Sequence, residues 1–274
     1  MKVAARLRLI VLASVAISAS AAAAPADDLP LIAAAIRSGR LIQAELMLLR
    51  MPPGLSGEAT TEVDILRAQL ALAQGRDEDA KRGFDALAPR MPDDCRVLVG
   101  GGMAESGLAN AAIAIARLER AIPRCDLGWE AWSALGKAYD AKQRWSDSAK
   151  AYANAIARGG QRPVLLNDAA VSLITQKRFA EAVTLLGTAL GRAPHDPRIV
   201  NNLDIANGAL GRIPVRSQTD TASRWAERLN NAGYSAMLAG RTDDARRWLT
   251  AAVDADPVFQ AVAAANLAQL DRLK

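Results

Sequence analysis

The sequence predicts an all-α chain built as a solenoid of antiparallel helix pairs. Three observations carry that expectation. Two copies of one pattern lie in direct tandem between Trp129 and Asp196, and the matching residues Trp132 and Leu166 are 34 apart. Within each copy, apolar and small residues recur at i, i+3, i+4 and i+7, the spacing of a single helix face, in two blocks split by a turn. The composition is 51% hydrophobic but only 4% aromatic. That suits closely packed Ala- and Leu-rich helices, each touching only its neighbours, better than one large globular core.

In the first copy Trp132, Leu135, Gly136, Tyr139, Ser148, Tyr152 and Ala155 take positions 4, 7, 8, 11, 20, 24 and 27. In the second, Leu166, Ala169, Ala170, Leu173, Ala182, Leu186 and Ala189 take the same positions, and Pro194 takes position 32. Positions 8 and 20 are small (Gly136, Ala170; Ser148, Ala182), so two helix axes can approach while larger side chains fill the space around them. Gly159-Gly160 ends one second helix and Pro194 follows the other, as helix stop signals do. Trp145 and Phe179, both at position 17, can cover the turn between helices. On these residues the chain resembles the tetratricopeptide (TPR) family. The resemblance implies a right-handed superhelix of stacked pairs with a concave groove lined by first helices.

The chain has 274 residues and a formal net charge of +5. Met1–Arg8 is short and basic, Leu9–Ala19 is apolar, and Ser20–Ala24 is small throughout with A-x-A choices before Pro25. That is the layout of a secretory signal. The apolar run is shorter than the roughly 20 residues of a spanning helix. Residues 1–24 are therefore expected to be a cleaved signal peptide, with an uncleaved anchor as the rival. With no Cys near the cleavage region, a lipid anchor is not expected. Loss of Lys2, Arg6 and Arg8 would take +5 to +2, a balance with no argument for nucleic acid. The expectation is an exported, periplasmic protein with no membrane span after signal removal.

Residues 25–58 read as a degenerate first repeat. Leu31, Ile32, Ala35 and Ile36, then Ala44, Met47 and Leu48, give two short apolar faces around Gly39-Arg40. A regular array is expected over 61–212. Its first unit has Ala68, Ala71 and Leu72, the turn Gly75-Arg76, then Ala80, Phe84, Leu87 and Pro92. The next unit, from Cys95, carries Gly100-Gly101-Gly102 in mid-helix, where each Gly costs about 1 kcal/mol relative to Ala. A phosphate loop is the alternative use of such glycines, but no strand precedes them and the G-x-G-x-x-G pattern fails at Glu105. The second helix of this unit carries Ala114, Leu118 and Ala121.

The two cysteines occupy positions 1 and 31 of that unit, Cys95 and Cys125. In a helix hairpin those positions share an edge, within the roughly 6 Å between Cα atoms that a disulfide needs. In an oxidising compartment they are expected to pair; two unrelated structural thiols are the other reading. Closing a loop of about 30 residues is worth about 3–4 kcal/mol in the chain-entropy account. That is about what three helical glycines take away.

Pro197 opens another first helix, for which Val200, Leu203, Ala206 and Leu210 are the expected inward face, with Gly211-Arg212 at its turn. No second helix of normal length follows. Residues 213–221 read as a loop, polar and holding Pro214. The pattern resumes in 222–274, a last repeat plus a capping helix. Leu229, Ala232, Gly233, Ala245, Leu249, Ala252 and Pro257 fit when position 1 is Ala226, so the register slips from 34 to 29 residues. Such a step is a candidate hinge.

Asn is a mediocre helix former, yet Asn167, Asn201, Asn202, Asn230 and Asn231 recur at positions 5 and 6 of successive first helices. Asn266 lies near the equivalent place in the cap. In the family such positions line the groove. A carboxamide offers two donors and one acceptor, which match the main chain of an extended peptide. The alternative is that these amides link adjacent first helices to each other. The sole histidine, His195, lies in the connection Ala193–Pro197 and reads as a turn residue. Neither a catalytic constellation nor a metal-ligand set is visible, so no enzyme activity and no cofactor is expected. The expected function is a non-enzymatic scaffold holding a segment of a partner protein of the cell envelope in its groove. A small-molecule or glycan carrier using the same cavity is the second reading. Asn201-Asn202-Leu203, followed by Gly211-Arg212 and a shortened repeat, is similar to the TPR proteins of tight-adherence (Flp-type) pilus assembly. That likeness covers Asn201 to Leu270 and implies a setting in pilus assembly or secretion.

Overall fold

A computed structural model describes residues 28–272 apart from 53, 54, 56 and 257–259. The expected signal segment, residues 1–24, and Pro257 lie outside the described residues. Among the described residues there are 14 α-helices and no strand. The chain divides into two compact units at Val63/Asp64.

In the first unit α1 (Leu29–Arg37) and α2 (Leu41–Leu49) form one helix pair. Their periodicity buries Ile32, Ala35, Ala44 and Leu48. Leu31, expected on the same face, is exposed. Gly39 makes the turn at φ +74, a left-handed backbone that Gly adopts without strain.

The second unit is a solenoid of TPR type. Its first helices are α3 (Glu58–Ala73), whose start belongs to the first unit, α5 (Cys95–Gly107), α7 (Trp129–Ala141), α9 (Pro163–Thr175), α11 (Pro197–Ala209) and α12 (Ala222–Leu238). Second helices α4 (Asp77–Leu87), α6 (Ala111–Ala121), α8 (Trp145–Gly159), α10 (Phe179–Arg192) and α13 (Thr242–Ala255) follow all of these but α11, and α14 (Gln260–Asp271) closes the array. The starts of the first helices follow from local chemistry. Asp94 and Asp196 accept from the backbone N–H groups of Arg96 and Arg198 at 2.8 and 2.9 Å, side-chain caps that satisfy otherwise orphaned donors. Pro163 and Pro197 open α9 and α11, where a missing N–H costs nothing.

Packing follows the small-against-large rule. A Cβ at Gly136 would stand 2.9 Å from the Tyr152 ring, at Gly233 2.8 Å from Leu249 Cγ, and at Gly102 2.7 Å from Leu118 Cγ. In these three repeats position 8 is glycine because the position-24 side chain lies on it. The other two glycines of α5 have their own reasons. A Cβ at Gly100 would overlap the Phe84 ring of the preceding repeat, and one at Gly101 would overlap Arg117 Nη1. The helix is pressed on three sides, so the propensity cost is set against close packing. Cys95 and Cys125 are joined by a disulfide with Cα atoms 5.6 Å apart.

Where the register slips, no second helix forms and α12 comes down on α11. A Cβ at Gly208 would overlap the Ala232 carbonyl oxygen. This rearranges which residues are covered. Ile199, Asp204 and Ala206 are buried, whereas Val200, Leu203 and Leu210 are only partly covered. Arg228 of α12 donates to both Asp204 carboxylate oxygens, at 2.7 and 3.0 Å, to Asp220 at 2.8 Å and to the Val215 carbonyl at 3.0 Å. Segment 213–221 is thereby tied to α12.

Candidate protein-interaction face

The first helices form a layer of their own. α5 touches α7, α7 touches α9, α9 touches α11, α11 touches α12, and α12 touches α14. Positions 5 and 6 lie in this layer. Asn202 Nδ2 donates to Asn167 Oδ1 at 2.8 Å, and Asn266 Nδ2 donates to Asn230 Oδ1 at 2.8 Å. Asn201 Nδ2 donates to Glu227 at 2.9 Å, while its Oδ1 is buried without a partner. Asn231 is half-buried beside Asn230. Five of the six asparagines thus bridge adjacent first helices. Each such bond stabilises by about 1 kcal/mol, and orphaning one buried partner costs about 1–3 kcal/mol.

Earlier repeats make the same crossing with other groups. Ser133 Oγ and Lys137 Nζ donate to Asp168 at 3.0 and 2.8 Å. Asp140 accepts from Ser172 Oγ at 2.7 Å, from Tyr152 Oη at 3.0 Å and from Ser148 Oγ. Burial first, then the Asp140 charge, pushes the Tyr152 hydroxyl far above its ordinary range, so it stays a donor. In the repeat before, Glu105 is buried and accepts from Asn110 Nδ2 at 2.7 Å. Lys81 and Arg117 stand at 3.8 and 4.0 Å from it and also pair with Asp85. Sequence reasoning missed these partners; those that cross between first helices, Ser133 with Asp168 and Asp140 with Ser172, sit 35 and 32 residues apart.

One helical turn beyond the amides the layer is apolar and open. Val171 is four residues after Asn167, Ile205 four after Asn201, Tyr234 four after Asn230, and Leu238 four after Tyr234. An i, i+4 relation puts each on the face of its asparagine. Val171, Tyr234 and Leu238 are 41%, 37% and 64% exposed. The available signal was position 9, read only for its amide neighbours. Exposed apolar groups on one face mark interaction sites when they cluster. His195 is exposed in its connection. Among the described residues no group of three or more His, Cys, Asp or Glu could hold a metal ion, and no helix is long and apolar enough to cross a membrane.

The sequence profile of the coatomer epsilon subunit matches residues 133–236. No characterised protein matches the chain by sequence. Among solved structures, a thermophilic TPR protein of Thermus thermophilus is 19% identical, with TM-score 0.50 over 67% of this chain and 98% of that one. PilW, described as a widely conserved type IV pilus biogenesis factor, is 16% identical, with TM-score 0.56 over 70% of this chain and 88% of its own. A TPR protein of Parabacteroides merdae is 13% identical, with TM-score 0.52 over 89% and 99%.

Proposed function

The chain has the fold of the tetratricopeptide-repeat proteins, and on that premise we propose that it is an exported, non-enzymatic scaffold. It holds a segment of a partner protein of the cell envelope against its layer of first helices. The observation that carries this is the set of apolar groups open to solvent beside the asparagines, Val171 and Tyr234 one turn on and Leu238 a turn further. One half of each amide of Asn167, Asn202, Asn230 and Asn266 is engaged in a bond between helices. In this reading they border the site and fix the spacing of the helices, with Asn201 and Asn231 beside them, and the partner is held by apolar contact. The fold supports a protein as partner. Export is supported by the basic, apolar and small-residue order of residues 1–24. The disulfide Cys95–Cys125 suits an oxidising compartment. Pilus assembly is the proposed setting, supported by the Asn201–Leu270 resemblance and by the fold shared with PilW.

The test is quantitative capture from envelope extract on the tagged, signal-processed chain. Tyr234→Ala/Leu238→Asp is expected to lose the specific partner at an unchanged melting temperature. Asn202→Ala is expected to lower the melting temperature while the partner set stays the same. Equal capture by wild type and the Tyr234/Leu238 variant would rule the face out.

A further inference from the structure

The outer layer of the second unit is interrupted once. α4, α6, α8 and α10, with 11, 11, 15 and 14 residues, cover the first helices before them. α11 is followed instead by residues 210–221, which hold no helix. The segment does not refill the place. Arg228 ties it down by ion pairs to Asp204 and Asp220, and a cleft of about 420 Å³ remains between it, α10, α11 and α12. The cleft is lined by apolar Leu190, Val200 and Leu203 on its α10 and α11 sides and by polar Ser217, Thr219 and Asp220 on the segment's side. Val215 of the segment lines the cleft and is 83% exposed; on the same segment Ile213 is 53% exposed, and Arg212 and Arg216 are exposed too. Neither arginine has a carboxylate within ion-pair distance among the described residues; Arg216 rests 5.9 Å from the Trp225 ring centre.

We propose that this cleft seats an acidic amphipathic helix of a partner protein in the place of the missing second helix. The α11 wall is a first-helix face that elsewhere in the unit is covered by a second helix. Leu190, Val200 and Leu203 offer apolar contact to the i, i+3, i+4, i+7 anchors of such a helix. Arg212 and Arg216 select acidic groups on the outward side of that helix and steer its approach. This site includes none of Val171, Tyr234 and Leu238 and does not depend on the reading given for the first-helix layer.

The experiment places the photo-crosslinker p-benzoylphenylalanine at Val215 in the full chain, in cells that make it. A second variant carries it at Tyr234. The expected adduct from position 215 maps by mass spectrometry to a segment of another protein with apolar residues on one helical face and Asp or Glu on the other. Arg212→Glu/Arg216→Glu, two exposed changes whose folding is checked by circular dichroism, is expected to cut the yield from 215 about tenfold, a difference of about 1.4 kcal/mol. The yield from 234 should stay unchanged. A synthetic peptide of the mapped segment should lose about tenfold in affinity for the same variant. The proposal is overturned by no adduct at 215, by adducts only with a second copy of the chain or with lipid, or by a yield indifferent to the charge reversal.

Discussion

Arg228 shows how much one side chain carries in this chain. It is nearly buried, and its guanidinium is shared between Asp204 of α11 and Asp220 of the loop. Burial pushes the Asp204 carboxyl above its ordinary range, against the hydrogen bonds from Arg228; those same bonds push the guanidinium higher still. Removing one partner of a buried pair leaves an uncompensated charge and costs about 3–5 kcal/mol. Arg228→Ala should therefore lower unfolding free energy by about that much, read by urea denaturation; a loss under about 1 kcal/mol, the scale of an exposed pair, would mean the pair is not buried in solution. Tyr139 gives a second test. Burial, then its hydrogen bond to Glu119, raises its hydroxyl from 10.0 to about 12. The folded state keeps its proton where the unfolded state has lost it, so this stability is full below pH 10 and falls away as pH rises toward 12. Tyr139→Phe should flatten the loss of melting temperature over that window, and an unchanged slope would show that the hydroxyl is not protected. Neither residue's role was legible in the sequence. Asp204 reads as an exposed helical carboxylate until α12, 24 residues on, is known to lie against it. The recurrence of the asparagines was legible, as were the two roles open to them; the 2.8 Å bonds of Asn202 to Asn167 and of Asn266 to Asn230 were not.

At the scale of the helix, glycines divide by what surrounds them. Gly100→Ala drives a Cβ into the Phe84 ring, and overpacking of that kind costs about 1–3 kcal/mol. Gly187 of α10 is helical with nothing within 4 Å of its missing Cβ, so Gly187→Ala should gain about 1 kcal/mol from helix propensity alone. Thermal melts of both variants check the pair, and the opposite ordering would refute the packing account of α5. The same crowded helix bears the disulfide. Cys95→Ser/Cys125→Ser should cost about 3–4 kcal/mol, and labelling of denatured, unreduced protein should find no free thiol. Two reactive thiols would remove the staple from the account. Helix positions were legible because period and stop signals agree, as at Gly75-Arg76, where Gly75 stands at φ +71 and the arginine reaches Asp79. The face of α11 was not. The expected row of Val200, Leu203 and Leu210 assumes a second helix to cover it, and none is there.

In the second unit the proposed function divides by layer. There the first helices carry amides that lock repeat to repeat and, one turn on, apolar groups left open; the second helices carry the packing. The tandem of helix pairs was readable from the 34-residue spacing of Trp132 and Leu166, since a repeated pattern forces a repeated hairpin. What these open groups touch was not readable, because exposure depends on neighbours one repeat away. The central claim, that the first-helix layer is the binding face, is tested most directly by hydroxyl-radical footprinting with and without the captured partner. The account predicts that Tyr234 and Leu238 are protected several-fold in the complex while Ile113, exposed on the second helix α6, reacts as before. Protection of Ile113 with Tyr234 and Leu238 unchanged would contradict it.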